Sequence, residues 1–272
     1  MKGSIPTDPT RPAVLRAIAQ CEKSGEFDAH TDPVDHTLSL PVTPDFPYIP
    51  KGWRRVRYAL RRTFVVQPFA RRVTRRQLAV KVEGAEHLSG VGSAILTCNH
   101  VHKFDCLAIR EACRPNRPFV VAAPFNNQKG SFGESMRAGG MLPLGDSPAA
   151  MRSFLRAVHT LLARGKRILI YPEQSMWWQY EKPRPYKDGA FSIAMKNGVP
   201  IVPLFITFRE SGRFDENGIE HKFLTLHVMP PLYARPTLGY RENVEYLREE
   251  NMRLCREKYR EVYGCEPTEE TR

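Results

Sequence analysis

The sequence predicts an α/β fold in which a central mixed β-sheet carries helices on both faces and follows a basic, amphipathic helical segment. Short runs of branched and aromatic residues alternate with stretches whose apolar residues recur at helical spacing, as in sheets built from strand, helix and strand units. A chain of 272 residues, of which 42% are hydrophobic, can also bury one sizeable core. We therefore expect one main domain with tails.

The first 50 residues predict an arm outside the sheet. They are rich in Pro, Thr and Asp with one helical candidate, around Ala13 to Lys23, so the arm either wraps over the domain or is partly disordered. The stretch Met1 to Pro6 lacks the apolar run of a secretory signal, and no window approaches the roughly 18 apolar residues of a membrane span. Six scattered cysteines without a C-x-x-C pair favour reduced thiols, as in a cytosol.

Residues 51–79, called the basic segment below, carry most of the excess positive charge. The stretch 51–82 holds eleven Lys or Arg and no acid, against a net charge of +12 for the whole chain. A helix from Trp53 to Phe64 would place its apolar residues on one side and its arginines outside that stripe, and Pro68 is expected to break or kink it. This pattern fits a helix lying on an anionic membrane, although a core-packed helix with a solvated basic face gives the same pattern.

The rest of the chain predicts an α/β domain at residues 80–235 and a charged C-terminal helix and tail at 236–272. The predicted strands are Leu78 to Val82, Ala94 to Cys98, Phe119 to Ala123, Met141 to Leu144, Ile168 to Tyr171, Ile201 to Phe208 and Phe223 to Val228. The predicted helices are Asp105 to Cys113, Lys129 to Ala138, Pro148 to Ala163, Asp188 to Lys196 and Asn243 to Tyr263.

A histidine with a nearby carboxylate follows the second of these strands. His100 stands just past the run Ala94 to Cys98, and Asp105 comes five residues later. Active residues of such sheets commonly follow the carboxyl ends of strands, and an imidazole oriented by a carboxylate can take a proton from a hydroxyl. Positions five apart lie about 140° apart around a helix, so we expect His100 on the turn and Asp105 at the helix start. Alternatively, Asp105 is only a helix cap and His100 an ordinary loop histidine.

The same stretch also allows a metal site. Five potential ligands lie within nine residues, namely Cys98, His100, His102, Asp105 and Cys106. The remaining histidines are isolated and C-x-x-C is absent, so no bound metal is expected.

Three later segments belong with this motif. Gly139 and Gly140 lead into an apolar run, and a buried-type strand ends in Pro172-Glu173-Gln174-Ser175, which places a carboxylate and two hydrogen-bonding side chains at the rim of the sheet. Val199-Pro200-Ile201-Val202-Pro203 then opens the sixth strand.

In this order the four blocks resemble those of the PlsC-type glycerolipid acyltransferase family, the lysophosphatidic-acid acyltransferase type. The resemblance covers roughly Val80 to Phe208. It consists of N-H-x-x-x-x-D at Asn99, His100 and Asp105, a glycine-led block at Gly140, a P-E-G-T-like block at Pro172 to Ser175, and V-P-x-x-P at Val199 to Pro203.

The resemblance implies transfer of a fatty acyl group from acyl-CoA or acyl-ACP to the hydroxyl of a lysophospholipid, with 1-acyl-sn-glycerol-3-phosphate as the leading acceptor. His100 would be the general base, Asp105 would orient it, and the acyl donor would be a co-substrate without any bound cofactor. Backbone N–H groups at the turn or helix start would stabilise the oxyanion. Because G-x-S-x-G is absent, we expect direct transfer without an acyl-enzyme. Substrate-binding roles are expected for Asn99, Glu173, Gln174, Ser175, Arg184 and Lys187.

Two arginines that the family associates with the acceptor phosphate are missing, since Gly145 and Met176 stand at their positions. Either another cation replaces them or the acceptor carries no such phosphate. The candidate cations are Lys103, Lys129, Lys182, Arg184 and Lys187, of which we favour Arg184 and Lys187. The aromatic residues after the fifth strand either line an acyl-chain path or belong to the core, namely Trp177, Trp178 and Tyr180.

The expected partners are an anionic membrane surface, a lysophospholipid acceptor and acyl-CoA or acyl carrier protein. The expected location is the cytoplasm, peripheral on the inner face of the cell membrane. Nucleic acid is not expected, because the basic segment has neither interleaved stacking aromatics nor a recognition motif. Two further hypotheses are a non-catalytic lipid- or nucleic-acid-binding protein on the same fold and a metal-dependent hydrolase.

Overall fold

The computed structural model of the chain describes residues 10–267, so the stretch Met1 to Pro6 considered above lies outside the described residues. Its strands are β1 (Lys81–Glu83), β2 (Ala94–Thr97), β3 (Phe119–Ala122), β4 (Met141–Pro143), β5 (Arg167–Ile170), β6 (Ile201–Arg209) and β7 (Phe223–Val228). Its helices are α1 (Arg11–Ser24), α2 (Gly52–Arg61), α3 (Gln67–Arg72), α4 (Asp105–Ala112), α5 (Gly130–Ala138), α6 (Pro148–Ala163), α7 (Gly189–Asn197) and α8 (Tyr240–Tyr263).

The seven strands form one mixed sheet in the order β1-β7-β6-β2-β5-β3-β4. Neighbouring strands run parallel except β6 and β7, which are antiparallel. Strand β2 lies near the middle, with Leu96 opposite Leu169 of β5 on one side and Val202 of β6 on the other. The predicted α/β class with a mixed sheet is therefore confirmed.

Helices cover both faces of the sheet because successive strand residues point to opposite sides. Ile95 packs into a core formed with α6, α7 and α8, for example against Phe154 and Phe191. The next residue, Leu96, packs into a second core on the other face, which includes Ile109 of α4. Strands buried on both faces explain the continuous apolar runs in the sequence.

The described part of the arm, residues 10–50, wraps over the domain. Val14 and Ile18 of α1 pack against Trp177 and Trp178. Further along, the Tyr48 hydroxyl donates to the carbonyl of Pro143 at 2.9 Å. The arm thus contributes to the cores of the α/β domain.

The basic segment forms one continuous helical run from Gly52 to Gln77. A π-helical turn, Arg62–Val66, joins α2 to α3, and a second, Val73–Gln77, follows α3. The helical run continues past Pro68, so the expected break does not occur, while the expected kink stays a prediction. Pro68 is the second residue of α3, which follows directly on the π-turn after α2. Leu78 still has helical backbone angles and Ala79 has a positive φ of 39°, so β1 begins later than predicted. No helix within residues 10–267 combines the length and the apolar character needed to cross a bilayer.

Candidate active site

His100 and Asp105 meet at the turn between β2 and α4, residues 98–104, called the histidine turn below. Asp105 is the first residue of α4, and its Oδ2 lies 2.8 Å from Nδ1 of His100. An ionised carboxylate can only accept, so Nδ1 carries the proton and Nε2 keeps its lone pair. The His100 side chain is 23% exposed, and within residues 10–267 its Nε2 has no hydrogen-bond partner. The ring therefore presents a proton acceptor to the outside.

Asp105 is fully buried and accepts four hydrogen bonds. Besides the imidazole, its Oδ2 accepts from the backbone N–H groups of Val101 and His102 at 3.0 and 3.2 Å, and its Oδ1 accepts from the Tyr171 hydroxyl at 2.6 Å. Burial raises the pKa of Asp105, but the His100 charge and these hydrogen bonds outweigh it and hold the pKa below its usual value. The carboxylate stays ionised, and it both caps the turn and orients the imidazole.

The other potential ligands of the histidine turn are occupied or protonated. His102 Nδ1 accepts from the backbone N–H of Phe104, and burial lowers the pKa of His102 to about 4. Burial raises the pKa of Cys106 to about 12 and that of Cys98 well above its usual value, so both sulfurs are thiols. Among residues 10–267, no group of three or more His, Cys, Asp or Glu side chains is arranged to hold a metal ion.

Asn99 joins the histidine turn to strand β6. Its side-chain amide donates to the carbonyl of Ile206 at 2.9 Å, and its carbonyl oxygen accepts from the Ile206 N–H at 2.8 Å. The side chain is fully buried. Both ends of the amide are therefore bonded to the protein, and the expectation that Asn99 binds substrate stays a prediction.

Glu173 braces the same turn from the end of β5. Its Oε2 accepts from the backbone N–H of His100 at 3.1 Å and forms a 2.8 Å ion pair with Nη2 of Arg184, and its Oε1 accepts from the Arg184 backbone N–H. Both side chains are 1% exposed. The Arg184 guanidinium also donates to the carbonyls of Phe27 and Ser175. Glu173 and Arg184 thus hold the turn against the arm, and the expectation that they contact a substrate stays a prediction.

Two residues of the P-E-Q-S block differ in exposure. Ser175 is buried, and its Oγ accepts from Arg184 at 3.1 Å; its expected contact with a substrate also stays a prediction. Gln174 is exposed and adopts a positive φ of 69°, the region that favours glycine, which explains the glycine of the P-E-G-T pattern at this position. Gln174 stays a candidate for substrate contact. The aromatic residues after this block belong to the core, since Trp177 and Trp178 are buried.

One of the two missing arginines, the one expected at Gly145, is absent for a structural reason. A Cβ atom at Gly145 would lie 2.3 Å from backbone atoms of Ala150 and Met151, so no side chain fits there. Lys182 pairs with Glu22 of the arm at 3.0 Å.

The remaining candidate cations lie on the surface. Lys187 is exposed and pairs with Asp28 of the arm at 2.8 Å. Lys103 and Lys129 are also exposed, and within residues 10–267 neither forms an ion pair with a carboxylate. Of the five cations expected to contact an acceptor phosphate, these two are the least committed to the protein.

The backbone amides of the turn are committed to carboxylates. The N–H of His100 donates to Glu173, and those of Val101 and His102 donate to Asp105. These three amides cannot face an oxyanion, so that part of the expectation is corrected.

The basic segment lies beside the histidine turn and exposes its apolar residues. Phe69 packs edge-on against Phe104 of the turn, with ring centroids 5.6 Å apart. Arg61 bonds to Ser135 of α5 at 3.0 Å. Trp53 and Phe64 are 75% and 72% exposed, and no residue of α2 is buried. The alternative of a core-packed helix is therefore wrong for α2.

Sequence reasoning missed Tyr171. It stacks on His100 with centroids 3.9 Å apart and a 14° angle between the planes, and its hydroxyl reaches Asp105. The available signal was a tyrosine ending an otherwise apolar strand directly before Pro172-Glu173.

Comparisons with known proteins agree with this geometry. Residues 79–207 match the family model described as Acyltransferase. The chain is 26% identical over 168 residues to human 1-acyl-sn-glycerol-3-phosphate acyltransferase alpha and 27% identical over 135 residues to the mouse protein of that name. These matches cover 60% and 48% of this chain but 56% and 46% of the relatives, so the chain spans about half the length of the curated relatives.

A solved structure shares the fold. The crystal structure of the 1-acyl-sn-glycerophosphate (LPA) acyltransferase PlsC from Thermotoga maritima superposes with a TM-score of 0.54 at 18% sequence identity. The match covers 90% of this chain and 93% of that one. The likeness in fold therefore extends over most of the chain.

Proposed function

We propose that the chain is a member of the PlsC-type acyltransferase family and an O-acyltransferase that moves a fatty acyl group from acyl-CoA or acyl-ACP to the hydroxyl of a lysophospholipid. One observation carries the proposal. His100 is oriented by a buried, ionised Asp105 through Nδ1 while Nε2 remains open at the carboxyl end of β2. That arrangement suits removal of a proton from an acceptor hydroxyl.

In this proposal His100 acts twice. Nε2 takes the proton of the acceptor hydroxyl as its oxygen attacks the thioester carbonyl. The tetrahedral intermediate then collapses, the carbon–sulfur bond breaks, and the imidazolium returns the proton to the leaving thiolate. Asp105 stabilises the imidazolium between these two steps, since its carboxylate lies 2.8 Å from Nδ1. The acyl donor supplies the thioester, so the scheme requires no bound cofactor.

The basic segment supports work at a membrane. Its exposed Trp53 and Phe64 stand beside arginines that carry most of the net charge, a combination suited to an anionic lipid surface. The contact between Phe69 and Phe104 joins this surface to the histidine turn. We therefore propose peripheral binding, with the inner face of the cell membrane as the site of action and no nucleic-acid partner.

The leading acceptor is 1-acyl-sn-glycerol-3-phosphate, which would yield phosphatidic acid. It is supported by the relatives, which are 1-acyl-sn-glycerol-3-phosphate acyltransferases, and by Lys103 and Lys129, which form no ion pair within residues 10–267. A lipid acceptor without a glycerol phosphate is the second candidate. It is favoured by the closed position at Gly145 and by the burial of Arg184.

A matrix of donors and acceptors tests the proposal. Purified protein with acyl-CoA or acyl-ACP would be given lysophosphatidic acid, other lysolipids and lipid alcohols, with thiol release and the acylated lipid both measured. We expect turnover that depends on the acceptor. The proposal would be overturned if no pair of substrates turned over, and binding to vesicles or DNA without turnover would instead support a non-catalytic role.

A further inference from the structure

Tyr171 touches both members of the histidine–aspartate pair. It follows β5 directly, and β5 runs parallel to β2 with Ile170 opposite Thr97, so the chain beyond each strand reaches the same edge of the sheet. The Tyr171 ring lies nearly parallel to the His100 imidazole, with centroids 3.9 Å apart. Its hydroxyl donates to Oδ1 of Asp105 at 2.6 Å.

The two carboxylate oxygens of Asp105 have different hydrogen-bond partners. Oδ2 of Asp105 serves His100 and two backbone amides, whereas within residues 10–267 Oδ1 accepts a side-chain hydrogen bond from Tyr171 alone. Asp105 is fully buried, so Oδ1 would have no water to replace that donor. Burial, and then the charge of Asp105, raises the pKa of Tyr171 well above its usual value, which keeps the phenol protonated as a permanent donor.

We propose that Tyr171 is a positioning residue for the acyl transfer, which fixes the plane of the His100 ring with its face and the orientation of the Asp105 carboxylate with its hydroxyl. This inference rests on the proposed function of His100. A phenylalanine would fill the same volume and stack in the same way, but it would leave Oδ1 without its donor. The hydroxyl is therefore the part of Tyr171 that packing does not explain.

The hydroxyl also sets how strongly Asp105 stabilises a proton on His100. Each hydrogen bond donated to a carboxylate withdraws negative charge from it. Loss of the Tyr171 hydroxyl leaves more charge facing Nδ1 and favours the imidazolium. A general base must be neutral to act, so the acid limb of the activity profile should move to higher pH in a variant without this hydroxyl.

Three variants test the inference. Tyr171→Phe removes only the hydroxyl, Tyr171→Leu also removes the ring face, and Tyr48→Phe removes a buried phenolic hydroxyl that donates to the Pro143 carbonyl. We expect kcat to fall about tenfold in Tyr171→Phe with little change in KM, and further in Tyr171→Leu. We also expect the acid limb of kcat/KM to move upward in Tyr171→Phe and to stay in place in Tyr48→Phe.

An NMR titration of the His100 ring nitrogens gives a readout that does not need turnover. The signals are identified by their loss in His100→Gln, and in Tyr171→Phe they should titrate at higher pH than in the wild type. An unchanged titration and an unchanged activity profile, with only a loss of thermal stability like that of Tyr48→Phe, would overturn the inference. If the wild type turned over no acceptor while the titration still moved, the proposed function would fail and the coupling of Tyr171 to His100 would stand.

Discussion

The histidine turn and the basic segment depart from ordinary burial in opposite directions. In the turn, Asn99, Asp105 and the adjoining Glu173 and Arg184 are polar or charged and yet buried. In the basic segment, Trp53 and Phe64 are large and apolar and yet exposed. Burying charge is costly unless each group is paired, and here each is paired. Within residues 10–267, neither Trp53 nor Phe64 belongs to one of the apolar core clusters.

The two regions therefore differ in how far their polar and apolar groups are paired within the protein. The turn is completed within the protein, because Asp105 and Glu173 together use the backbone N–H groups of His100, Val101 and His102. The basic segment leaves Trp53 and Phe64 exposed. Under the proposed function, the turn supplies the geometry for proton transfer and the segment supplies an apolar surface for lipid.

Removing the proposed base should have the largest effect. His100→Ala is expected to lower kcat about a thousandfold, because it deletes the atom proposed to accept the hydroxyl proton. Thiol release from the acyl donor measures this. His159→Ala is the matched control, since His159 lies on the exposed face of α6 and bonds to Asn197. Equal activity in His100→Ala and the control would contradict the mechanism.

Breaking the buried ion pair should affect stability more than binding. Arg184→Met leaves Glu173 buried without its partner and should destabilise the fold by about 3–5 kcal/mol in urea unfolding. KM for the acceptor should change little in protein that is still folded. Unchanged stability with a raised KM would mean instead that Arg184 binds the acceptor.

The exposed apolar residues should control membrane binding. Trp53→Ser and Phe64→Ser should each weaken binding to anionic vesicles about tenfold, as expected from the loss of one buried aromatic contact with lipid. Tyr233→Ser removes an aromatic residue of similar exposure outside the basic segment and should not weaken binding. Equal losses in all three variants would break the contrast drawn between the two regions.

The sequence predicted the elements well where local pattern decides them. Helix α6 was predicted with its exact bounds, because Ser147 caps it, Pro148 opens it and its apolar residues recur at helical spacing. Strand β7 was also exact. The continuation of the helical run past Pro68 was not predicted. It follows a π-turn, and a π-turn has no signal in a residue pattern.

The site was less predictable because its contacts join distant parts of the chain. Lys187 pairs with Asp28, and the guanidinium of Arg184 reaches the carbonyl of Phe27 in the arm, so neither cation could be judged from its neighbours in sequence. The collision that closes Gly145 to side chains likewise depends on how α6 follows β4. The direction of the Tyr171 hydroxyl was also not predictable from the sequence, because it depends on the pairing of β5 with β2.

A variant of Lys103, in the histidine turn, tests whether the acceptor carries a phosphate. Lys103→Ala should raise KM for 1-acyl-sn-glycerol-3-phosphate about threefold to tenfold, because a charge-assisted contact with phosphate would be lost. KM for an acceptor without phosphate should stay the same. Lys187→Ala is the comparison, since Asp28 already neutralises that side chain. Equal KM values in all variants would favour the acceptor that carries no phosphate.

Acid should produce the smallest and most gradual effect. The pKa of Asp105 is lower in the folded chain than in the unfolded chain, where it is about 4. The ionised carboxylate therefore contributes to stability at pH above the unfolded pKa. This contribution is lost as the pH falls through the folded pKa. The difference in unfolding free energy between wild type and Asp105→Asn should therefore narrow on acidification. A difference independent of pH would contradict the ionised, paired carboxylate.

The most direct test of the account compares two titrations of the wild-type protein. One is the pH dependence of kcat/KM with the best acceptor, and the other is the NMR titration of the His100 ring nitrogens in the free protein. The account predicts that the acid limb of the first coincides with the midpoint of the second, since the free enzyme acts only when His100 is neutral. Full activity at a pH where the His100 ring is protonated would contradict it.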